Sequence, residues 1–390
     1  MPYAASHACH SDARCGLVSV ARDLKTQLGG AIPDLAFLFI SRDQAEQFDE
    51  IAAAAVEAIG CRCLLGCTGE TIVAAGEELE NGPAISVWCG VLPAAELTPF
   101  HVQFERTPDG VVCTGLPANP GGGRESSTMF LFGDPWSCAV DALLDHLADE
   151  LPGVQLLGGM ASGGTAPGEN LLYLNRERVP NGGVGVLLTG GPHIGSVVSQ
   201  GCRPLGETYV VTKANQNVIH ELGGKPALVR FEELFATLNG RDRNLVQRGL
   251  HLGIVMNEYQ ARFGRGDFLI ANVMGADRDS GAIAIGNLVR TGQTVQFHIR
   301  DAETADEDLR YLLGGYLADR AAPPQSALLF SCNGRGTRLF AEPNHDAGVV
   351  QELCGPLPLA GFFAQGELGP VGGKNHIHGF TASLALFDGD

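Results

Sequence analysis

Hydrophobic residues along this chain fall into short runs that stop abruptly in glycine or polar residues. Leu35 to Ile40 is one such run. Ser41-Arg-Asp-Gln44 behind it reads as a capping box, and an alanine-rich stretch reads as a helix that Gly60 stops. A second run, Arg62 to Leu65, breaks at Gly66-Cys-Thr-Gly-Glu70, and a hairpin-like pair follows, ending in Ala84 to Val91. The same order recurs. Thr128 to Phe132, a helix opened by Asp134-Pro135, Val154 to Leu157, the glycine-rich stretch Gly158 to Gly164 and a hairpin ending in Val184 to Leu188 make a second copy. Ala327 to Phe330, a helical segment around Asn344 to Leu353, Leu357 to Ala360, a glycine-rich stretch from Gly361 to Gly373 and Phe380 to Phe387 make a fourth. The third copy is the weakest. Leu252 to Met256 and Phe268 to Met274 are its strands, with little room for a helix between them, and Ala282 to Ile285 with Thr294 to Ile299 is its hairpin.

A strand, helix, strand order implies a parallel pair whose two strands end on the same edge of the sheet. The pattern therefore predicts an α/β fold with mixed sheets. It comprises two pseudo-symmetric domains, each built from two β-α-β-β-β repeats with helices packed outside. Residues 1–30 read as a flexible segment, residues 31–222 as the first domain and residues 223–390 as the second, divided at Gly223-Gly224. Pro226 to Leu238 is a helix with one apolar face, and Thr304-Ala-Asp-Glu307 caps another. Gly121 to Ser127 precedes a strand instead of opening a helix after one, so it reads as a connector and not a phosphate loop.

The chemistry gathers in the fourth copy. Its first strand runs into Cys332, Asn333, Gly334, Arg335 and Gly336, and its second into Gln365, Gly366 and Glu367. Parallel strands place these two turns side by side, where backbone N–H groups meet a small ligand. A guanidinium at Arg335 suits a carboxylate and Glu367 suits an ammonium, the complement of an α-amino acid. The same residues could instead be paired with structural partners or with each other. Arg338 reads as a surface or interdomain residue. Cys332 is a conceivable nucleophile, with His345, His376 or His378 as base and Asp346 as orienter. Against that stands a small residue packed under the turn. His376 and His378 would share a strand face, but a pair at this spacing is a weak metal signal. Cys61, Cys63 and Cys67 read as buried reduced thiols, and the His7, Cys9, His10, Cys15 tail is no better a metal site. No cofactor or metal is expected.

These motifs resemble the FIST domain proteins over nearly the whole chain. The FIST N pattern is matched by Leu64 to Glu70, Gly76-Glu-Glu-Leu-Glu80, Leu157-Gly-Gly159 and Gly201 to Gly206. The FIST C pattern is matched by Val295 to Asp301, Phe330-Ser-Cys-Asn-Gly-Arg-Gly336 and Gly361 to Pro370. The resemblance implies a sensory module that binds a small ligand, an amino acid or small carboxylate, and passes the signal to a partner protein. The stretch ahead of Leu35 is too short for the F-box that accompanies the module in some proteins, so a stand-alone sensory protein is expected. A ligand-free interaction scaffold and an enzyme using Cys332 are the rival readings.

Composition narrows the classes further. A net charge of −18 without a basic run disfavours nucleic acid. No apolar run reaches the length of a membrane span, and the start lacks the basic head and apolar core of a signal peptide. Eleven cysteines at irregular spacing, with no C-x-x-C pair, fit a reducing compartment, so the expectation is cytoplasmic.

Overall fold

The computed structural model describes residues 2–108, 110–118, 127–260 and 262–389. All but the last residue of the expected connector Gly121 to Ser127 thus lies outside the described residues. The contacts of the chain divide it into two units, Met1–Val198 with Arg310–Asp390, and Ser199–Leu309. The fold is mixed α/β, as the pattern implies, but the repeats are distributed differently. Copies one, two and four all lie in the first unit, and the expected division at residues 222 and 223 falls within the second.

In the first unit each of these copies begins with a parallel pair flanking a helix. Leu35–Ser41 pairs with Cys63–Gly69 around the helix Phe48–Ile59, and Ser127–Gly133 pairs with Gln155–Met160 around Val140–Glu150. Ser326–Cys332 pairs with Leu359–Ala364 around His345–Cys354. The registers match. Leu38 stands opposite Gly66, Leu131 opposite Gly158 and Leu329 opposite Gly361. A Cβ on these glycines would meet the carbonyl oxygen of its opposite leucine at 3.0, 2.0 and 1.8 Å. Only a residue without a side chain lets the two backbones lie this close at the last two positions.

The hairpin after each pair leaves its own sheet. Ile72–Ala74 with Glu77–Leu79, from copy one, pairs along the second strand of copy four. Leu172–Leu174 with Glu177–Val179, from copy two, extends copy one, and Glu367–Val371 with Lys374–His378, from copy four, extends copy two. The exchange is cyclic. The final strand of each copy, Ile85–Gly90, Gly183–Gly190 or Ala382–Phe387, returns to pair antiparallel with its own first strand. The expected hairpins ending in these strands are therefore separated into two different pairings.

Side chains alternate across the first strands, which explains why those strands are apolar throughout. Phe37 and Phe39 enter a core shared by all three sheets, while Ala36, Leu38 and Ile40 face the helices. Phe39, Phe132 and Phe330 occupy equivalent positions and meet one another, with ring centroids 5.4, 6.0 and 6.4 Å apart. They mark a pseudo-threefold centre.

The expected flexible segment at the start is ordered structure. Tyr3–Ala8 pairs with Ile85–Gly90, and the helix Ala13–Gln27 buries Leu17, Val20 and Leu24 against the same sheet as Phe48–Ile59. Three expected caps also differ. The Ser41 hydroxyl accepts the Ala84 N–H, the second-copy helix starts at Val140, and Asp301 caps Ala302–Ala318 by accepting the Thr304 N–H at 2.7 Å.

The second unit is antiparallel throughout. The strands of the third copy, His251–Val255 and Phe268–Asp277, pair antiparallel with no helix between them. Ala282–Ile285 and Thr294–Arg300 bind different neighbours. Cys202–Asn215 pairs with Thr294–Arg300 on one side and Val218–Leu222 on the other, which closes the ladder into a barrel around Leu252, Phe297 and Ile299. No helix among the described residues is long and apolar enough to cross a membrane.

Two substitutions test this core. Phe132→Ala is expected to lower unfolding free energy by about 3–5 kcal/mol in urea titration. Gly158→Ala, on an exchange-bearing strand, is expected to prevent soluble expression or to lower stability by several kcal/mol, against little change for the turn substitution Gly168→Asn.

Candidate functional site

The first strand of copy four ends as the sequence suggests, and the chain then turns tightly. Arg335 N–H returns to the Cys332 carbonyl at 2.9 Å, and Leu339 and Phe340 both bond the Gly336 carbonyl. Gly336 has φ +58°, and a Cβ there would lie 2.7 Å from Glu80 Oε1 and 2.8 Å from the Phe363 ring. The parallel pairing brings the two turns together as expected: Asn333 N–H bonds the Ala364 carbonyl at 3.1 Å. Cys332, Asn333 and Gly334 are half-buried, Gln365 is exposed, and Arg335, Gly336, Gly366 and Glu367 are buried.

Arg335 does not face solvent. It is fully buried and forks onto Asp346, with Nε to Oδ2 at 2.6 Å and Nη2 to Oδ1 at 2.7 Å. Its Nη1 reaches the Phe380 carbonyl at 3.4 Å, and the guanidinium lies over the Phe340 ring. Asp346 also accepts from Ser331 Oγ at 2.7 Å and lies 2.9 Å from His345 Nδ1; His345 itself stacks flat on Phe340. Burial opposes the charged carboxylate, but Arg335 outweighs it and holds Asp346 well below the usual range. The residue considered as an orienter for Cys332 is thus the partner of Arg335.

Two further buried carboxyls flank this pair. Glu367 Oε2 accepts the Thr381 N–H at 3.1 Å, and the Cys332 thiol donates to the same carboxyl group. Glu367 Oε1 has no hydrogen-bond partner among the described residues. Glu78 comes from the exchanged hairpin of copy one. Its Oε1 accepts the Ala347 N–H at 3.0 Å, and its Oε2 has no partner among the described residues. Burial raises Glu367 to about 8, and burial with the neighbouring Asp346 raises Glu78 to about 7. The same hairpin ends in Glu80, which takes the Thr337 N–H at 2.9 Å and its hydroxyl. Arg338, expected as a surface or interdomain residue, is exposed and pairs with Glu70 of copy one.

Sequence reading picked out the stretch Gly76 to Glu80 but not its place beside Arg335, because the hairpin exchange that carries it there leaves no local mark. His376 and His378 share a face with ring centroids 6.0 Å apart, and no group of three or more potential metal ligands was found among the described residues. Cys63 and Cys67 are buried with raised thiol pKa values, and Cys61 is half-buried.

Asp346→Ala leaves Arg335 buried and uncompensated, so a loss of about 3–5 kcal/mol is expected in chemical denaturation. The double variant Arg335→Met/Asp346→Leu should lose less. Glu367 sets a pH dependence. Between about pH 4.5 and 8 the folded protein keeps a proton that the unfolded chain has released, so stability falls as pH rises through that window. Glu367→Gln is expected to flatten that decline in denaturation curves collected from pH 5 to 9.

Comparison with known proteins extends over nearly the whole chain. Residues 34–225 match the FIST N domain and residues 227–370 the FIST C domain. The uncharacterized protein Rv0628c of Mycobacterium tuberculosis is 45% identical over 377 residues, covering 96% of this chain and 97% of its own length. The uncharacterized protein Mb0898c of Mycobacterium bovis is 41% identical over 380 residues, covering 97% of each. With its turns, glycines and both domains accounted for, the chain belongs to the FIST family of sensory and signal-transduction domains.

Proposed function

We propose that this is a cytoplasmic sensory protein that binds a small amino-acid-type metabolite at the turns of copy four, and that a partner protein reads the bound state. The observation that carries this reading is unfilled hydrogen-bonding capacity at the two turns. Cys332, Asn333, Gly334 and Gln365 are half-buried or exposed at these turns, and Asn333 Oδ1 and Glu367 Oε1 are buried polar atoms without a partner among the described residues. Buried polar atoms of this kind normally have a hydrogen-bond partner, and a ligand can supply one. A plain carboxylate is the less favoured ligand, because it would have to displace Asp346 from Arg335.

The hairpin exchange offers a route for the signal. Glu78 and Glu80 of copy one hold the backbone at Ala347 and Thr337, and Arg338 holds Glu70. A ligand that shifts the turn therefore acts on two sheets together. Calorimetric titration against the common amino acids tests the site. Asn333→Ala and Gln365→Ala are expected to weaken binding at least tenfold while leaving the thermal midpoint unchanged. Undiminished affinity in both variants would place the ligand elsewhere.

A further inference from the structure

Aligning the three copies on Gly66, Gly158 and Gly361 shows what Glu367 replaces. The residue paired next to each glycine on the incoming hairpin is Leu172, Glu367 or Ile72. Leu172 and Ile72 are buried members of the central apolar core. Glu367 is equally buried, so copy four places a carboxyl where the fold otherwise uses aliphatic carbon. Its cross-strand partner His378 stands where Leu79 and Val179 stand in the other hairpins. Folding does not require these polar groups at this position, and burying them without full pairing costs stability.

With no cation committed to it among the described residues, buried Glu367 holds its proton near neutral pH, and a bound cation would let it ionise. Glu78, Asp346 and Glu367 are three buried carboxyls, and among the described residues Arg335 is the buried guanidinium beside them, already committed to Asp346 by two hydrogen bonds. Glu78 and Glu367 each keep one oxygen without a partner among the described residues. His378 adds no positive charge, since burial pushes it down to about 4. Thr381 and Ala347 give one backbone N–H each to Glu367 and Glu78, and Arg335 is engaged by Asp346, so a ligand carboxylate would enter beside three carboxyls and a cation already paired.

A short strap covers Glu367. Thr381 N–H bonds its carboxyl, the Cys332 N–H bonds the Thr381 carbonyl at 2.9 Å, and Arg335 holds the Phe380 carbonyl. Phe380 has φ +63°, a left-handed conformation disfavoured for a residue with a side chain. Gly379 beside it is exposed.

Building on the proposed ligand site, we infer that the group it recognises is an organic cation with N–H donors, an ammonium or amidinium, which binds Glu367 beneath a displaced Gly379–Thr381 strap. The ligand's positive end selects it, and a ligand carboxylate is dispensable.

Titration of the full chain with two probe pairs tests this. Glycinamide and putrescine carry the cation without a carboxylate; N-acetylglycine and acetate carry the carboxylate without the cation. Binding of at least one cationic probe, with neither anion binding, is the expected result. Glu367→Gln should weaken the cation at least tenfold. Glu367→Leu, which restores the residue type of the other copies, should fold with a thermal midpoint at or above that of the parent and abolish binding. Cation affinity unchanged in folded Glu367→Leu would overturn the inference. Binding of the anions alone would also overturn it while leaving the turn site itself standing. No binding by either pair or by any amino acid would remove both.

Discussion

A parallel strand pair built around one helix has an unpaired edge, and the first unit depends on how that edge is covered. The second strand of each copy exposes a row of N–H and C=O groups. Each copy covers the edge of another by donating its hairpin, in a closed cycle of three. The close backbone approach at Gly158 and Gly361 keeps the parallel pairs tight enough to present that edge, and Phe39, Phe132 and Phe330 fill the space where the sheets converge. No sheet is complete within its own copy.

The same exchange assembles the polar site. Arg335 and Asp346 belong to copy four, Glu78 and Glu80 reach them from copy one, and Glu367 leaves copy four on the hairpin donated to copy two. The threefold pattern makes the exceptions easy to identify. Where the other copies bury Leu172 and Ile72, copy four buries a carboxyl, and a fold that repeats its solutions marks such a departure as serving something other than packing.

Much of the architecture was legible in the sequence because its signals are local. The apolar runs, the glycines that end them and the helices between them all appear near their expected positions, and Arg335, Asn333 and Gln365 were found at neighbouring turns. The strand pairings were less legible. Tight hairpins such as Ile72–Leu79 look local in sequence but pair with a strand near the other end of the chain, Leu359–Ala364, so Glu78 could not be placed beside Arg335. The initial strand and helix were missed because their apolar positions, Leu17, Val20 and Leu24, are diluted by polar neighbours. In the third copy the spacing between the strands was too short for a crossover helix, and the chain takes the antiparallel pairing that a short connection permits. Arg335 was read as a ligand residue from its place after the strand; its partner Asp346 lies further along on a helix and engages it internally.

The cyclic exchange also fixes an order of events during synthesis. The barrel of Ser199–Leu309 draws on a continuous stretch of chain and has its strands in hand before Arg310 is made. The hairpin at Ile72–Leu79 has no strand to pair with until Leu359–Ala364 leaves the ribosome, and the sheet of copy two waits for Glu367–Val371. Part of the earliest chain to be made therefore stays unpaired until almost the last is finished. During that interval its open edges are exposed to other strands. A nascent chain stalled before Leu359 would carry a finished barrel, a finished first sheet and two sheets still waiting for their strands.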